Sequence, residues 1–383
     1  MVNVAVIGIG RMGHVHARNI KKHHVKNAVL TAVCDIKEDV LDNFCKKYGK
    51  VATYTDYKEM LEKEKIDAVV IATEHYFHVE IAKYCVEKGV HILVEKPVGV
   101  TTKSAKELIE LSNQHIEIVA AIMYNQRTNP LYARAKKLVD GGFLGELNRV
   151  EYIITNWYRS QAYYDQGNWR ASWWGEGGGT LINQCIHQLD LVQWIVGMPI
   201  AVNAKMFTKN RKITTENDVI AQFELPNSVF CSFIASTHEL RGTNRLEISG
   251  TKGRIVIDSG VMKFYSFNKD ELEVNATTKF GYGFSIRKTK TYKYRLRFLL
   301  RMILGQQINI LRNFVDAIEN KTALISPIAD GINALEIING MYLSNWTKKE
   351  ISLPIDDEDY QEMLTSKIEE EKIVLKEKKD DKN

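Results

Sequence analysis

The chain lacks the features that mark membrane, secreted and metal-binding proteins. No apolar run approaches the ~20 residues of a membrane span, and Met1 leads straight into an apolar strand without a charged-then-apolar leader. The five cysteines are odd in number and contain no C-x-x-C pair, and the ten histidines form no metal-ligand pattern. These absences predict a cytoplasmic protein with small buried cysteines, no transmembrane segment and no metal site.

A large excess of charge is also missing. The 52 basic and 47 acidic residues leave a net charge of +5, which is too small to indicate a nucleic-acid partner. One segment departs from this balance, because residues 287–301 carry seven basic residues and no acidic one. A phosphate-bearing substrate, an anionic membrane surface or a solvated loop would each suit that segment. The sequence leaves these three interpretations open.

The length predicts two domains, because 383 residues exceed the usual size of one core. The first strands predict that the N-terminal domain binds a dinucleotide. Residues 2–7 form an apolar run of the kind found in buried strands, and Gly8, Gly10 and Gly13 follow at once in a G-x-G-x-x-G pattern before a helical stretch. Asp35 ends the next apolar run, 22 residues after Gly13. We expect Gly8 to make the turn, Gly10 to admit a pyrophosphate and Gly13 to let the helix pack. Asp35 would bind the ribose diol and repel a 2′-phosphate, which favours NAD over NADP.

Strand and helix patterns continue to alternate up to residue 122, as in a doubly wound parallel sheet. Ligands of such sheets lie beyond the carboxyl ends of the strands. Two short sequences fall there, Ala72-Thr73-Glu74 and Glu95-Lys96-Pro97. The fold class is therefore α/β, with a Rossmann domain at residues 1–122.

Beyond residue 122 the apolar runs alternate with period two, as in antiparallel strands. This pattern predicts an α+β domain at residues 123–355. The tail at residues 356–383 is dense in charge, which predicts a solvated helix with a frayed end.

A second glycine run, residues 177–179, precedes a predicted helix at residues 180–196. Asn183, His187 and Asp190 are spaced to share one polar stripe on this otherwise apolar helix. A polar stripe needs partners inside the protein or a wet cleft, so a buried, satisfied histidine and an active-site histidine both fit. The segment before the glycines is rich in aromatic and polar side chains, which suit the apolar faces and hydroxyl rim of a sugar ring. The candidate substrate-binding residues are Asn183, Arg127, Trp169, Arg170 and Tyr164.

Six motifs occur in an order that resembles the Gfo/Idh/MocA family of oxidoreductases over residues 2–350. They are GIGRMGHVHARNI, VIAT with the following His78, HILVEKPVG, NQRTNP with GGFLGEL, GGGTLINQCIHQLD, and NFVDAI. The resemblance implies a Rossmann domain and a C-terminal α+β domain. It also implies that a large open, mostly antiparallel sheet of the second domain makes the contacts of a homo-oligomer, a dimer or a tetramer.

The resemblance also implies roles for single residues. Lys96 corresponds to the lysine of the family's EKP motif, and His187 corresponds to its catalytic histidine. Asn183 stands where inositol dehydrogenases carry an aspartate, and Glu74 stands where the family usually has a proline. The cofactor-binding residues it implies are Gly8, Gly10, Arg11, Met12, Gly13, Asp35, Ala72, Thr73, His78, Glu95 and Lys96.

Two assignments of the proton transfer stay open. His187, with an ordinary pKa near ~6.5, can accept the proton of a secondary alcohol while a protonated Lys96 stabilises the alkoxide. If desolvation lowers its pKa, Lys96 is itself the base. Asn183 exchanges no proton and is expected to bind a substrate hydroxyl or to orient His187.

The predicted function is hydride transfer between nicotinamide and a secondary hydroxyl of a sugar, glycoside or cyclitol, with a C3-type position favoured. NAD is the expected cofactor, and NADP is the less favoured one. One alternative is a glycosidase or lyase in which NAD oxidises C3 transiently, without net redox change. Another alternative is a catalytically silent sensor that binds dinucleotide and sugar.

Overall fold

A computed structural model describes residues 1–167, 169–279, 281, 287–293 and 296–380. The backbone forms two compact units. The first comprises Met1–Thr128, Gly175–Gly177 and Met302–Leu335, and the second comprises Asn129–Trp174, Gly178–Arg301 and Glu336–Asn383. The domain boundaries drawn from the sequence remain a prediction, and no sequence motif indicates that residues 302–335 belong with the first unit.

The first unit contains a six-stranded sheet in which every neighbouring pair is parallel. The strand order is β3-β2-β1-β4-β5-β6, which is the doubly wound Rossmann order. The order reverses between β1 and β4, and ligands bind at such a reversal, beyond the carboxyl ends of the strands. The strands are β1 (Val2–Ile7), β2 (Ala28–Cys34), β3 (Ala52–Tyr54), β4 (Ala68–Ile71), β5 (His91–Val94) and β6 (Ala120–Ile122).

The helices of this unit pack against the sheet, because each helix has one apolar face that the sheet buries. Side-chain caps begin two of them, since Asp56 accepts from Lys58 N and Thr101 accepts from Ser104 N. The helices are α1 (Arg11–Lys21), α2 (Glu38–Tyr48), α3 (Tyr57–Lys63), α4 (Phe77–Glu87) and α5 (Thr102–Gln114).

A late part of the chain completes the core of the first unit. Ile310, Leu311 and Phe314 join the cluster of buried apolar residues formed by β1, β2 and their helices. Burial of these side chains explains why residues 302–335 belong to this unit. The helices concerned, α10 (Leu296–Asn320) and α11 (Gly331–Thr347), contribute residues to both units.

The second unit is built on a nine-stranded sheet of order β14-β13-β12-β11-β7-β10-β9-β8-β15. Within the described part of this sheet β7 and β10 form the one parallel pair, so the predicted open, mostly antiparallel sheet is confirmed. The strands are β7 (Leu147–Ile154), β8 (Ala201–Phe207), β9 (Asp218–Leu225), β10 (Val229–Ser236), β11 (Asn244–Gly250), β12 (Gly253–Asp258), β13 (Val261–Phe267), β14 (Arg287–Lys293) and β15 (Ile351–Ser352).

The remaining helices belong to the second unit, and the last of them differs from its prediction. Tyr360, Leu364 and Glu371 of the charged C-terminal helix are buried, so this helix is solvated on one face only. No helix among the described residues is both long and apolar enough to cross a membrane. The helices are α6 (Pro130–Asp140), α7 (Gln161–Tyr164), α8 (Ile186–Val196), α9 (Glu271–Thr277) and α12 (Asp357–Asp380).

The basic segment at residues 287–301 is only partly visible. Its first part is the edge strand β14, which pairs with β13, and its last part begins α10. Residues 294 and 295, and the side chains of 287, 288, 293 and 296–301, lie outside the described residues. The choice among phosphate, membrane surface and solvent therefore stays a prediction.

Candidate functional site

The turn between β1 and α1 has two glycines at which a side chain would overlap the backbone. Gly8 has φ +84°, and a Cβ there would lie 2.7 Å from the Ala72 carbonyl carbon. A Cβ at Gly13 would overlap the Gly8 carbonyl oxygen, whereas one at Gly10 would meet no atom within 4 Å. The turn is therefore packed against its own backbone at Gly8 and Gly13, and it borders open space at Gly10.

The N-terminus of α1 has no cap of its own. The N-cap residue is Gly10, which has no side chain that could accept a bond from the helix N–H groups. The first turn also contains no acidic residue. Because the first intrahelical bond of this end runs from His14 N to Gly10 O, the N–H groups of Arg11, Met12 and Gly13 precede the helical ladder. Such an end, with its positive dipole, suits a phosphate anion. These residues fit the pyrophosphate of a dinucleotide.

Asp35, at the end of β2, holds this turn in place. Its Oδ2 accepts from Ile9 N at 2.7 Å, and its Oδ1 accepts from Lys37 N at 3.0 Å. Each carboxylate oxygen accepts more than one hydrogen bond, so both can also accept from a ribose hydroxyl. The geometry thus combines a structural role with the predicted ribose role.

The loops after β4 and β5 are connected by His78. The buried ring has Nδ1 at 2.7 Å from Pro97 O and Nε2 at 3.0 Å from Thr73 O. Burial lowers the pKa of His78, so the neutral ring donates to one of the two carbonyl oxygens. Because both ring nitrogens face backbone carbonyls, His78 supports the loops that carry Thr73 and Lys96.

Glu95 connects the loop after β5 to α1. Its Oε1 lies 2.7 Å from Nε2 of the buried His16, and its Oε2 accepts from Lys96 N at 3.1 Å. The side chain of Lys96 itself is partly exposed. A buried carboxylate paired on both oxygens therefore holds the backbone from which Lys96 extends.

The second glycine run is filled by protein atoms. A Cβ at Gly177 would overlap Val100 within the first unit. Within the second unit, a Cβ at Gly178 would overlap the hydroxyl of Tyr342, and one at Gly179 would overlap the Glu216 carbonyl oxygen. The three positions are glycine because neighbouring residues of the chain occupy the space of a side chain.

Glu216 begins the helix that follows. Its carboxylate accepts from Gly179 N at 3.1 Å, Leu181 N at 2.8 Å and the Tyr342 hydroxyl at 3.1 Å. Burial raises the pKa of Glu216 to about 7, although these three donors favour the charged form. The sequence analysis missed this residue, because a single glutamate before a strand carries no motif.

The predicted helix at residues 180–196 is present as a π-helical turn, Leu181–Cys185, followed by α8. From Leu181 to Gln193 every residue is buried except Asn183 and His187, which are partly exposed. The predicted stripe does not extend to Asp190, which is buried and accepts from Gln193 Nε2 at 2.9 Å. Two polar side chains thus keep access to solvent on a helix that otherwise lies in the core.

Two residues predicted to bind substrate lie in the protein interior. Arg127 is buried in the first unit, where its NH1 donates to Asp330 Oδ2 at 2.5 Å and to Ile325 O at 3.2 Å. Tyr164 is buried, and its hydroxyl lies 2.9 Å from Thr237 Oγ1. Both side chains thus have partners within the protein, and their role as substrate ligands stays a prediction. Trp169 and Arg170 are partly exposed and stack on each other.

The C-terminal helix reaches the segment before the glycine run, which the sequence did not indicate. Glu371 of α12 is buried and accepts from Trp173 N and Trp174 N, each at 3.1 Å, and from the Thr214 hydroxyl. A buried carboxylate with three donors is a strong local constraint. The tail of the chain therefore fixes the backbone that leads into the candidate site.

Two models of one protein family match the chain. The oxidoreductase family model with the NAD-binding Rossmann fold matches residues 2–122, and the GFO/IDH/MocA C-terminal domain model matches residues 132–256. Together they span more than half of the 383 residues.

Curated relatives and solved structures are similar to the chain over most of its length. Myo-inositol 2-dehydrogenase of Thermotoga maritima is 24% identical over 67% of this chain and 75% of that protein. D-glucoside 3-dehydrogenase of Escherichia coli is 30% identical over 54% of this chain and 58% of that protein. The WlbA dehydrogenase of Chromobacterium violaceum, solved with NADH and UDP-GlcNAcA, is 21% identical with a TM-score of 0.77, over 93% of this chain and 96% of that chain. At that identity the structural likeness shows the fold.

Proposed function

The chain belongs to the Gfo/Idh/MocA family of oxidoreductases and carries its NAD-binding Rossmann fold. From this premise we propose that it oxidises a secondary hydroxyl of a sugar, glycoside or cyclitol to the ketone, or reduces that ketone to the hydroxyl. We call the π-helical turn Leu181–Cys185 together with α8 the site helix. The observation that carries the proposal is its exposure pattern, because between residues 181 and 193 only Asn183 and His187 are not buried. A structural histidine on a core helix would be buried with its neighbours. This one keeps access to solvent.

His187 accepts the proton of the substrate hydroxyl in the oxidation direction. A neutral imidazole accepts such a proton, and a positioned base contributes ~10²–10⁴ in rate. Asn183, one helical turn earlier, binds a hydroxyl of the same substrate through its amide. NAD, when bound, supplies the hydride acceptor.

Lys96 is proposed to stabilise the developing alkoxide in its protonated form. Glu95 and His78 support this role by fixing the loop backbone on either side of Lys96. Lys96→Met, which keeps the length and removes the charge, is expected to lower kcat. Unchanged kcat would remove Lys96 from the reaction.

The names of the relatives support the substrate class and, through the D-glucoside 3-dehydrogenase, the C3 position. The test is a panel of sugars, cyclitols and aryl glycosides with NAD and NADP, in which NADH formation and aglycone release are both followed. We expect NADH to form without loss of the aglycone. Aglycone release without net NADH would establish the redox-neutral alternative, and absence of both would leave only the sensor alternative.

A homo-oligomer is part of the proposal. Ile220 of β9 and Phe230 of β10 are each 54% exposed on the face of the sheet that is not packed in the core. On that face Ile220 pairs with Ile234, so apolar side chains are adjacent. Exposed apolar patches of this kind mark protein interfaces. Light scattering is expected to give the mass of a dimer or a tetramer, and Phe230→Lys is expected to lower it.

A cytoplasmic location remains part of the proposal. The thiols of Cys34, Cys85 and Cys231 are buried, and burial raises the pKa of each to about 12. Such thiols are unreactive and packed as small apolar groups, which suits a reducing compartment.

A further inference from the structure

Two arginines of the second unit are stacked between aromatic rings close to the site helix. The arginine–aromatic cluster consists of Trp157, Arg159, Tyr163, Trp169 and Arg170. The Arg159 guanidinium carbon lies 5.3 Å from the Trp157 ring centroid and 4.7 Å from that of Tyr163. The Arg170 guanidinium carbon lies 4.9 Å from the Tyr163 centroid and 4.5 Å from that of Trp169. Two positive charges therefore share the single ring of Tyr163.

No carboxylate among the described residues pairs with either guanidinium. Arg170 donates one bond, from NH1 to the Tyr163 hydroxyl at 3.2 Å, and Arg159 donates one, from NH1 to Tyr158 O at 3.0 Å. A guanidinium has five N–H donors, and stacking on a ring leaves the donors at its edge available. A third cation adjoins them, because Arg211 Nε donates to the Arg159 carbonyl at 2.7 Å. The cluster thus has more positive charge and more donors than its surroundings use.

The cluster is attached to the helix that carries Asn183 and His187. Gln184 Nε2 donates to the Tyr163 hydroxyl at 3.2 Å. Gln184 lies in the π-helical turn, beside Asn183 in the chain and three residues before His187, and it is buried whereas those two residues are partly exposed. Arg170 also lines a cavity of 250 Å³, together with Lys212 and the carboxylates of Asp165 and Glu371. The bond from Gln184 therefore connects the cluster to the helical segment that carries Asn183 and His187.

We infer that the cluster binds an anionic group, a phosphate or a carboxylate, carried by the substrate. This inference rests on the proposed function and adds to it that the sugar or cyclitol is acidic. Planar guanidinium groups bind carboxylate and phosphate oxygens in pairs through parallel N–H bonds. The anion supplies the ion-pair partner that no described carboxylate provides to Arg159 or Arg170. A neutral glycoside would leave the two stacked guanidinium groups uncompensated.

The test compares matched neutral and anionic sugars by two independent measurements. Binding of glucose, glucose 6-phosphate and glucuronate is followed by tryptophan fluorescence, since Trp157 and Trp169 belong to the cluster. Turnover of the same sugars with NAD is followed by NADH formation. The proteins are the wild type, Arg170→Gln, Arg159→Gln and Arg149→Gln, the last removing an arginine of β7 that pairs with Glu151. Arg170→Lys separates charge from the planar geometry.

We expect at least one anionic sugar to bind about 10-fold or more tightly than glucose, and Arg170→Gln to remove about 10- to 100-fold of that affinity. Arg170→Lys should recover only part of it, Arg159→Gln should act in the same direction, and Arg149→Gln should change nothing. Equal affinity for the neutral and the anionic sugars, or equal loss for both in Arg170→Gln, would overturn the inference. A neutral sugar that turns over with no arginine dependence keeps the proposed function and rejects the anion site. Arginine-dependent binding with no NADH formation from any sugar rejects the proposed function instead.

Discussion

Two helices of this chain begin beside glycine-containing turns, and their N-termini are satisfied in opposite ways. At α1 the first turn carries no acidic residue, the N-cap Gly10 makes no side-chain bond, and a Cβ at Gly10 would meet no atom within 4 Å. At the site helix the backbone N–H groups of Gly179 and Leu181 donate to the buried carboxylate of Glu216. The positive end of the α1 dipole and its unpaired N–H donors are thus available to an external anion. At the site helix the corresponding donors are bound by a carboxylate of the protein itself.

The comparison shows that a glycine run near a helix start does not by itself indicate a ligand. At Gly8 and Gly13, as at Gly178 and Gly179, the missing side chain makes room for other atoms of the protein. Only at Gly10 is the room open. The internally capped helix instead positions its functional groups further along, at Asn183 and His187. The predictions below test each half of this comparison.

The largest effect is expected at the capped helix, from His187→Ala. Loss of a positioned base should lower kcat by ~10²–10⁴, while NAD binding stays within about twofold because His187 lies on no element of the Rossmann sheet. Steady-state kinetics and a fluorescence titration with NAD measure the two quantities. His115→Ala, which removes a surface histidine, is the control. An unchanged kcat in His187→Ala would show that His187 takes no part in the reaction and that the site helix has only a structural role.

Replacing Glu216 by Gln tests whether the internal anion is a carboxylate with a raised pKa. The folded pKa is about 7 against an ordinary value of 4.5, so the folded protein binds the extra proton between these values. The stability of the wild type relative to Glu216→Gln should therefore be greatest below pH 4.5. It should fall as pH rises to 7, by up to about 3 kcal/mol, and stay level above it.

Urea unfolding of both proteins across this pH range measures the difference. Tyr342→Phe is the control, because it removes one donor to Glu216 and keeps the titrating carboxylate. Parallel pH profiles for the wild type and Glu216→Gln would contradict a raised pKa at this position.

Two alanine substitutions separate the open glycine of α1 from a packed one. Gly10→Ala should leave the unfolding free energy within about 1 kcal/mol, because its φ of −65° suits alanine, yet it should weaken NAD binding by filling the space left for the pyrophosphate. Gly13→Ala should destabilise the protein by about 1–3 kcal/mol, since the new methyl group overlaps the Gly8 carbonyl. Denaturant unfolding and NAD titration of both variants distinguish the two. NAD affinity unchanged in Gly10→Ala would mean that the open N-terminus binds no phosphate.

The smallest effect is expected from Asp35→Asn. Asparagine keeps an acceptor for Ile9 N but removes the charge that repels a 2′-phosphate. The preference for NAD over NADP should narrow about 10-fold, as measured by the ratio of the two dissociation constants, with little change in the unfolding midpoint. A constant ratio would assign Asp35 to the turn alone.

Local sequence patterns were sufficient for the parallel sheet of the first unit, although not for the contribution of residues 302–335 to its core. Apolar runs of β1 and β2, the spacing of Gly8, Gly10 and Gly13, and the position of Asp35 are all short-range features, and the parallel sheet follows from their repetition. The antiparallel sheet of the second unit and the helix carrying Asn183 and His187 followed from periodicity in the same way. These are properties that neighbouring residues impose on one another through backbone geometry and burial.

Tertiary structure decided which polar side chains are buried and which partners they have. Arg127 and Tyr164 were predicted as substrate ligands, and the structure buries both, with partners at Asp330 and Thr237 that lie more than 70 residues away along the chain. Glu216 and Glu371 carried no signal in the sequence, yet each fixes the backbone leading to the site helix. A polar residue has a structural role when the fold brings distant donors or acceptors within ~3 Å of its polar atoms. The spacing of residues along the chain does not determine these distances, so the sequence could not predict such partners.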